Sequence, residues 1–335
     1  MTASPRTERP DVLVTSAARK VLLVRAFREA LGRIGDGGRV LAADVDPWAV
    51  ALREADGVVE LPRTDDPSFG DALERACAAE RIGLVVPTRD EELSVFSAMR
   101  ERMAEAGTVL LISPPDCVAV CRDKIRFAKR LAEIGVDTPR ILSLDDPALP
   151  AFVKPRVGAG SRHARVVRTP QELAAATSAI RAAGGEPVVQ ELVDGSEHTV
   201  DVFLDLAGQP ISCVPRERVQ VVDGESVVSR TVRDDDLAGA AIRVCQALGL
   251  VGHITVQAFR TSDRIVLIEV NPRYGGAANL GFAAGAPTPE FAIRMARGES
   301  LGSQLDRYEV GLVMLRYSDD RFEHAPVLAT GVAAR

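Results

Sequence analysis

Arg264-Ile265-Val266-Leu267-Ile268-Glu269-Val270-Asn271-Pro272-Arg273-Tyr274-Gly275-Gly276 is the stretch on which the reading of this chain turns. It opens as an apolar, β-branched run of the length of a buried strand, then presents a carboxylate, an amide and a guanidinium at alternate positions. In an extended backbone Glu269, Asn271 and Arg273 share one face. Pro272 removes a ladder donor and Gly275-Gly276 lets the chain turn, so the polar face falls where the sheet ends. Carboxylate and amide oxygens suit a hard cation, and a guanidinium one step along suits a phosphate that the cation also touches. Taken alone, the stretch equally describes a strand end with a solvated charged tip. What else converges on it decides.

The 335 residues imply two or three domains. Apolar residues make up 46%, charged residues 26% and the net charge is −6, so no general basic surface for nucleic acid exists. No apolar run approaches the roughly 20 residues of a membrane span, and Pro5, Glu8 and Pro10 stand where a signal peptide would be apolar. The expectation is a cytoplasmic protein with neither nucleic acid nor membrane as partner. The five cysteines form no C-x-x-C pair and read as reduced thiols, and the four histidines lack metal-site spacing. Only Lys20, Lys124, Lys129 and Lys154 break the preference for arginine. A lysine retained in such a chain marks a place that wants a compact point charge rather than a planar fork.

Short apolar strands at Val12–Ser16, Arg39–Asp44, Val58–Leu61, Ile82–Pro87 and Thr108–Ile112 alternate with helical patterns at Val21–Leu31 and Asp71–Glu80, with another before Thr108. That alternation predicts a parallel, doubly covered sheet. Ligands of such sheets sit at the carboxyl ends of the strands, where Thr15-Ser16, Asp44-Val45-Asp46 and Thr88-Arg89-Asp90-Glu91-Glu92 fall. Each cluster also suits plain helix capping. Ser16-Ala17-Ala18-Arg19 lacks G-x-G-x-x-G, which argues against a nicotinamide site. The pattern changes near Ser113-Pro114-Pro115, giving expected domains at 1–113, 114–189 and 190–335. One helix is predicted from about Asp116 to Ile134, strands at Ala151–Pro155, Ala164–Val167, Pro187–Val193 and His198–Leu206, a charged loop over Arg216–Asp236, and a strand at Ile254–Phe259. The ends read as a frayed lead-in and a loose tail.

Lys154 at a strand end, followed by Gly158-Ala159-Gly160-Ser161, supplies charge and close backbone N–H groups for phosphate oxygens. Gln190-Glu191-Leu192-Val193 offers a main-chain edge for a purine, and Glu197 an acceptor for ribose hydroxyls. Each signal alone is matched by a plain hairpin or strand.

In chain order, Asp123-Lys124, Val153-Lys154-Pro155 with Gly158-x-Gly160-Ser161, Gln190-Glu191-Leu192-Val193-x-Gly195-x-Glu197, Gln257, and Glu269-Val270-Asn271-Pro272-Arg273 resemble the ATP-grasp superfamily. The nearest branch is the one like the synthetase halves of the carbamoyl-phosphate synthetase large subunit. The resemblance covers about 114–300, and Pro87-Thr88-x-Asp90-Glu91-x-Leu93 resembles the Rossmann-like pre-ATP-grasp domain of that branch. It implies an α/β, ATP-grasp fold with ATP and Mg²⁺ (or Mn²⁺) as cofactors. Lys124 and Lys154 would hold ATP phosphates under a lid formed by Gly158, Gly160 and Ser161. Gln190 and the backbone of Glu191, Leu192 and Val193 would read adenine, Glu197 ribose, while Gln257, Glu269 and Asn271 bind metal and Arg273 steadies the γ-phosphoryl group.

The reaction so implied joins a carboxylate to an amine through an acyl phosphate, releasing ADP. Both substrates are small molecules, the acid amino-acid-like, and the family-typical assembly is a homodimer. With one grasp unit in a much shorter chain, an activity other than carbamoyl-phosphate synthesis is expected. Formation of an acyl phosphate, ligation to a thiol or hydroxyl, and a catalytically silent nucleotide-binding module remain alternatives. Candidates for the acceptor pocket are Asp90 and Glu91, then Arg216, Arg218 and Arg230, with Gly275 and Gly276 leaving room for substrate. Arg156 reads as a phosphate contact or a solvated side chain.

Overall fold

The computed structural model describes residues 10–324, apart from residues 36, 159 and 161. Ser161 therefore lies outside the described residues, as do the chain before residue 10 and after residue 324.

The N-terminal part runs β1 (Asp11–Val14), α1 (Val21–Ile34), β2 (Val40–Ala42), β3 (Gly57–Val58), α2 (Phe69–Ala79), β4 (Ile82–Val86), α3 (Leu93–Glu105) and β5 (Val109–Leu110). Its five strands are all parallel in the order β3-β2-β1-β4-β5. Val12 and Val14 pack on the α1 side and Leu13 on the side of α2 and α3, so both faces are covered and the strands read as unbroken apolar runs. The strand expected at Val58–Leu61 shrinks to two residues, because β2 ends at Ala42 and leaves nothing for Glu60 and Leu61 to pair with.

The single helix expected from Asp116 is two: α4 (Pro115–Arg122) and α5 (Lys124–Glu133). Asp123 breaks them apart in an extended conformation and caps α5, accepting from the backbone N–H groups of Ile125 at 3.0 Å and Arg126 at 3.1 Å. Arg156 fixes the same carboxylate through contacts of 2.8–3.0 Å, which settles its role as a structural partner of the cap. The break places Lys124 on the first turn of α5.

β6 (Ile141–Leu142), β7 (Ala151–Pro155), β8 (Arg165–Val167), α6 (Pro170–Ala182) and β9 (Pro187–Glu191) build a small antiparallel sheet in the order β6-β9-β7-β8. Strand β9 belongs to it whole and runs across the division expected at 189/190. The remaining elements are β10 (Ser196–Leu204), β11 (Pro210–Val222), β12 (Glu225–Thr231), α7 (Asp235–Ala247), β13 (Gly252–Arg260), β14 (Ile265–Asn271), α8 (Ala278–Ala283), α9 (Thr288–Ala296) and β15 (Val313–Leu315). They form a six-stranded antiparallel sheet, β14-β13-β10-β11-β12-β15.

Most of the stretch expected as a charged loop from Arg216 is therefore a β-hairpin, turning at Asp223-Gly224 with φ of 50° and 78°. Its alternation is real, but two inward positions hold arginines matched by carboxylates on β10, which erases the hydropathy signal. Arg216 pairs in register with Thr199 and reaches Asp201; Arg218 reaches Glu197.

Candidate active site

Strands β13 and β14 set the metal-type residues side by side. Gln257 lies across from Glu269 and Thr255 across from Asn271. Between Gln257 and Ala258 the register slips by one, leaving Ile268 as the extra residue of a bulge. Ile268 and Glu269 consequently line the same cavity, one as an apolar floor and the other as a carboxylate. The cavity, of about 340 Å³, lies between the small sheet and the six-stranded sheet.

Lys124, Lys154, Gly158, Gly160, Gln190, Glu191, Leu192, Val193, Glu197, Gln257 and Glu269 all line it. The sequence reading missed Phe152, Val166 and Phe259, whose apolar faces suit a flat heterocycle. Their signal was too ordinary, since an aromatic or valine in a strand is normally core. Gln190 is buried, its amide 3.4 Å from the Pro139 carbonyl. The N–H of Glu191 is taken by the Arg140 carbonyl at 2.9 Å and its carboxylate by Arg140 and Arg264, so Leu192 and Val193 present the open main-chain edge.

Two ammonium groups face the acidic end. Lys124 Nζ donates to the Gly158 carbonyl at 2.7 Å, tying α5 to the glycine-rich loop. Burial lowers the Lys154 ammonium to about 8, Glu269 opposing that fall and Lys124 adding to it. Burial alone would raise the Glu269 carboxyl; Lys154, a hydrogen bond from Asn271, Lys124 and Arg273 hold it below its ordinary value. Asn271 Nδ2 stands 3.0 Å from Glu269 Oε1 and 3.2 Å from Gln257 Oε1. Turned the other way, the Gln257 amide accepts from Arg218 Nη1 at 2.8 Å and faces Glu269 at 2.7 Å. Among the described residues no group of three His, Cys, Asp or Glu is placed to hold a metal ion. One carboxylate with two amides is a weakly charged oxygen set, and it fits Mg²⁺, which takes few protein ligands when phosphate oxygens and water complete its shell.

The acceptor-pocket candidates part company. Arg218 lines the cavity, bonded to Glu197 at 3.2 Å, with its Nε unpartnered among the described residues. Arg216 is only 2% exposed and its fork is closed on Asp201 at 2.7 and 3.0 Å, so it is withdrawn from any pocket wall. Arg230 is half exposed on Glu217 and lies off the cavity. Arg273 leaves β14 beyond the cavity lining and grips Asp90 of the first sheet through both guanidinium branches, Nε to Oδ1 at 2.9 Å. Glu91 lies exposed beside Arg89 at 3.4 Å. Gly275 presses on Thr255, where a Cβ would stand 2.8 Å from Oγ1, and the Gly276 carbonyl accepts from Arg316 at 2.5 Å. Glu225, which the sequence places among possible acceptor-pocket residues, gathers on this side with Lys20 and Arg316, neither of which is a site candidate from sequence.

Residues 121–277 match the ATP-grasp domain family and residues 12–111 the PylC-like N-terminal domain family. Together the two matches identify an ATP-grasp domain preceded by a PylC-like N-terminal domain. It is 28% identical over 313 residues to the carbamoyl phosphate synthase large chain of Thermomicrobium roseum, an alignment that takes in 83% of this chain and 28% of that one. It spans about a quarter of the length of the large chains it matches. Among solved structures it resembles the biotin carboxylase domain of Hydrogenobacter thermophilus 2-oxoglutarate carboxylase, a dimer in complex with MgADP, ADP and bicarbonate, with TM-score 0.73 and 17% identity over 91% of this chain and 73% of that one. The L-amino acid ligase of Bacillus licheniformis superposes with TM-score 0.68 and 19% identity over 88% and 76%. At those identities the structures establish the shared fold. Among the described residues no helix is long and apolar enough to cross a membrane.

Proposed function

We propose that the protein is an ATP-dependent ligase that activates a small carboxylate as its acyl phosphate, releasing ADP, and passes the acyl group to an amine. What supports this most is the set of groups gathered in one place. A cavity with an apolar floor and an open main-chain edge carries Lys124, Lys154, Gln257 and Glu269 in its wall, with Asn271 bonded to Glu269 and Arg273 two residues further along the chain. A nucleotide lying along the cavity has its terminal phosphate at the border between cavity and Arg273. Glu269, Asn271 and Gln257 would hold magnesium there, with manganese able to replace it; when bound, the ion neutralises phosphate charge. Lys124 and Lys154 supply point charges for phosphate oxygens, and Arg273 stands where charge develops on the transferred group. The glycine-rich loop, tethered through Gly158 to Lys124, excludes water from a labile acyl phosphate when closed.

Glu269→Gln is expected to lower turnover by roughly 10²-fold or more while leaving the fold intact, because the variant keeps size and polarity but loses the only carboxylate of the set. The assay is ADP release from ATP with magnesium, against pooled amino acids and small carboxylates. Full activity of Glu269→Gln would remove the metal assignment. AMP and pyrophosphate as products would reject the mechanism, and tight ATP binding with no ADP from any pool would favour a silent nucleotide-binding module.

A further inference from the structure

Lys20 lies off the cavity wall and within electrostatic reach of Arg273. It closes the loop that follows β1, and that loop is held from several directions. Glu92 accepts from Ser16 Oγ at 2.7 Å and Thr15 Oγ1 at 3.4 Å, and Asp44 accepts from the Ala18 N–H at 2.7 Å. Ser16 and Ala18 are kept at φ of 46° and 38° although neither is glycine. Seven residues on, along the same stripe of α1, Phe27 packs edge-on against Tyr274 with ring centroids 5.8 Å apart. The head of α1 is thereby seated over the Arg273–Gly276 segment.

Four charged groups face Lys20: Arg273, Asp90, Glu225 and Arg316. They are already matched in pairs. Arg273 holds Asp90, and Arg316 holds Glu225 at 2.6 Å while also donating to the Gly276 carbonyl. Among the described residues the Lys20 ammonium has no hydrogen-bond or ion-pair partner. Three cations therefore meet two carboxylates, and the unmatched one is half-buried beside the backbone that the reacting acyl group approaches. Burial and the Arg273 charge lower its pKa to about 8, as expected of a cation awaiting an anion. Lys20 is absent from the cavity lining, where Lys124 and Lys154 are the two lysines at hand for nucleotide phosphate.

We infer that Lys20 binds a carboxylate that the reaction does not consume, carried by the amine acceptor, so that the acceptor is an amino acid. This rests on the ligase reading above. Off the cavity wall but within electrostatic reach of Arg273, Lys20 is placed to hold a second substrate while ADP stays in the cavity. A single ammonium, with no guanidinium fork left free, matches one carboxylate.

The chain has only four lysines, which makes a direct test clean. The full chain, with magnesium and a non-hydrolysable ATP analogue, is treated with a limiting amine-acylating reagent and each lysine read by mass spectrometry. A millimolar pool of amino acids is expected to slow acylation of Lys20 about tenfold, and the matching pool of amino-acid amides to leave it unchanged. Equal shielding by amides, no shielding by amino acids, or shielding by the ATP analogue alone would each overturn the assignment. In the turnover assay, Lys20→Met is expected to raise the apparent KM for the amino-acid pool about tenfold to hundredfold with the KM for ATP unchanged, and Lys20→Arg to recover part of the loss. Unchanged KM for amino acids in Lys20→Met overturns the inference with the ligase reading intact. Shielding of Lys20 by amino acids in a wild-type chain that releases no ADP rejects the ligase reading and leaves the carboxylate site standing.

Discussion

Replacing Asp201 by Asn tests the buried ion pair beneath the active-site turn. Asp201 is 4% exposed and Arg216 2%, and they are joined by two hydrogen bonds at 2.7 and 3.0 Å. Thr255 Oγ1 lies 3.4 Å and His253 Nε2 3.6 Å from the same carboxylate. Asn presents an amide N–H to at least one guanidinium N–H and leaves the Arg216 charge uncompensated in an interior where no water reaches it. Breaking a buried pair on one side costs about 3–5 kcal/mol, against a total stability of about 5–15 kcal/mol. The double variant Asp201→Leu, Arg216→Met removes both charges and is expected within about 1 kcal/mol of wild type by the same reasoning. Urea denaturation followed by far-UV dichroism reads both. Burial alone would raise the Asp201 carboxyl, but Arg216 and His253 hold it well below the usual carboxylate range. Its contribution is therefore fully present above about pH 4, where the unfolded chain is ionised, and fades only as pH falls toward the depressed folded value. The deficit of Asp201→Asn should be flat from about pH 5 to 8 and shrink in acid. A deficit below about 1 kcal/mol, or equal losses in the single and double variants, would refute the account of an uncompensated charge. Thr255 also donates to the Arg273 carbonyl at 3.2 Å, so the single variant should lose turnover as well.

Gly275→Ala places a Cβ 2.8 Å from Thr255 Oγ1, so the turn or Thr255 must move. The expected cost is about 1–3 kcal/mol, with slowed ADP release and nearly unchanged ATP binding by calorimetry; wild-type turnover would mean that the position of the turn does not matter. The Lys154 ammonium, lowered to about 8, gives two opposite pH trends. Nucleotide affinity should fall as pH rises through about 8, because the point charge is lost. Stability of the free protein should rise from about pH 8 to 10, because the folded chain there binds fewer protons than the unfolded one. Lys154→Met should flatten both trends, and nucleotide titrations that keep their pH dependence in this variant would contradict the assignment.

Local pattern was enough for the fold class and for most of the residues that the structure gathers around one cavity. Strand periodicity, the Asp-Gly and glycine-rich turns, and the alternation of Glu269 and Asn271 are effects of neighbours in sequence, and the chain carries them in full. Even there the tertiary structure altered detail, since the bulge at Ile268 turns an apolar neighbour of Glu269 into the same cavity. Asp123, read as part of one long helix, proves to be a cap because Arg156 arrives from another sheet. The charged residues were the least legible. Arg216, Arg218 and Arg230 look alike in a sequence, yet one is sealed against Asp201, one lines the cavity and one is half exposed on Glu217, while Lys20, set apart only by being a lysine, has no partner among the described residues. Whether a charge is buried depends on a counter-charge brought in by another strand or domain, as Asp90 is brought to Arg273 across 183 positions. Such a pairing leaves no local trace, so sequence alone determined the scaffold and the polar groups of the cavity, and only the tertiary structure decided which charges are paired and which are left without a partner among the described residues.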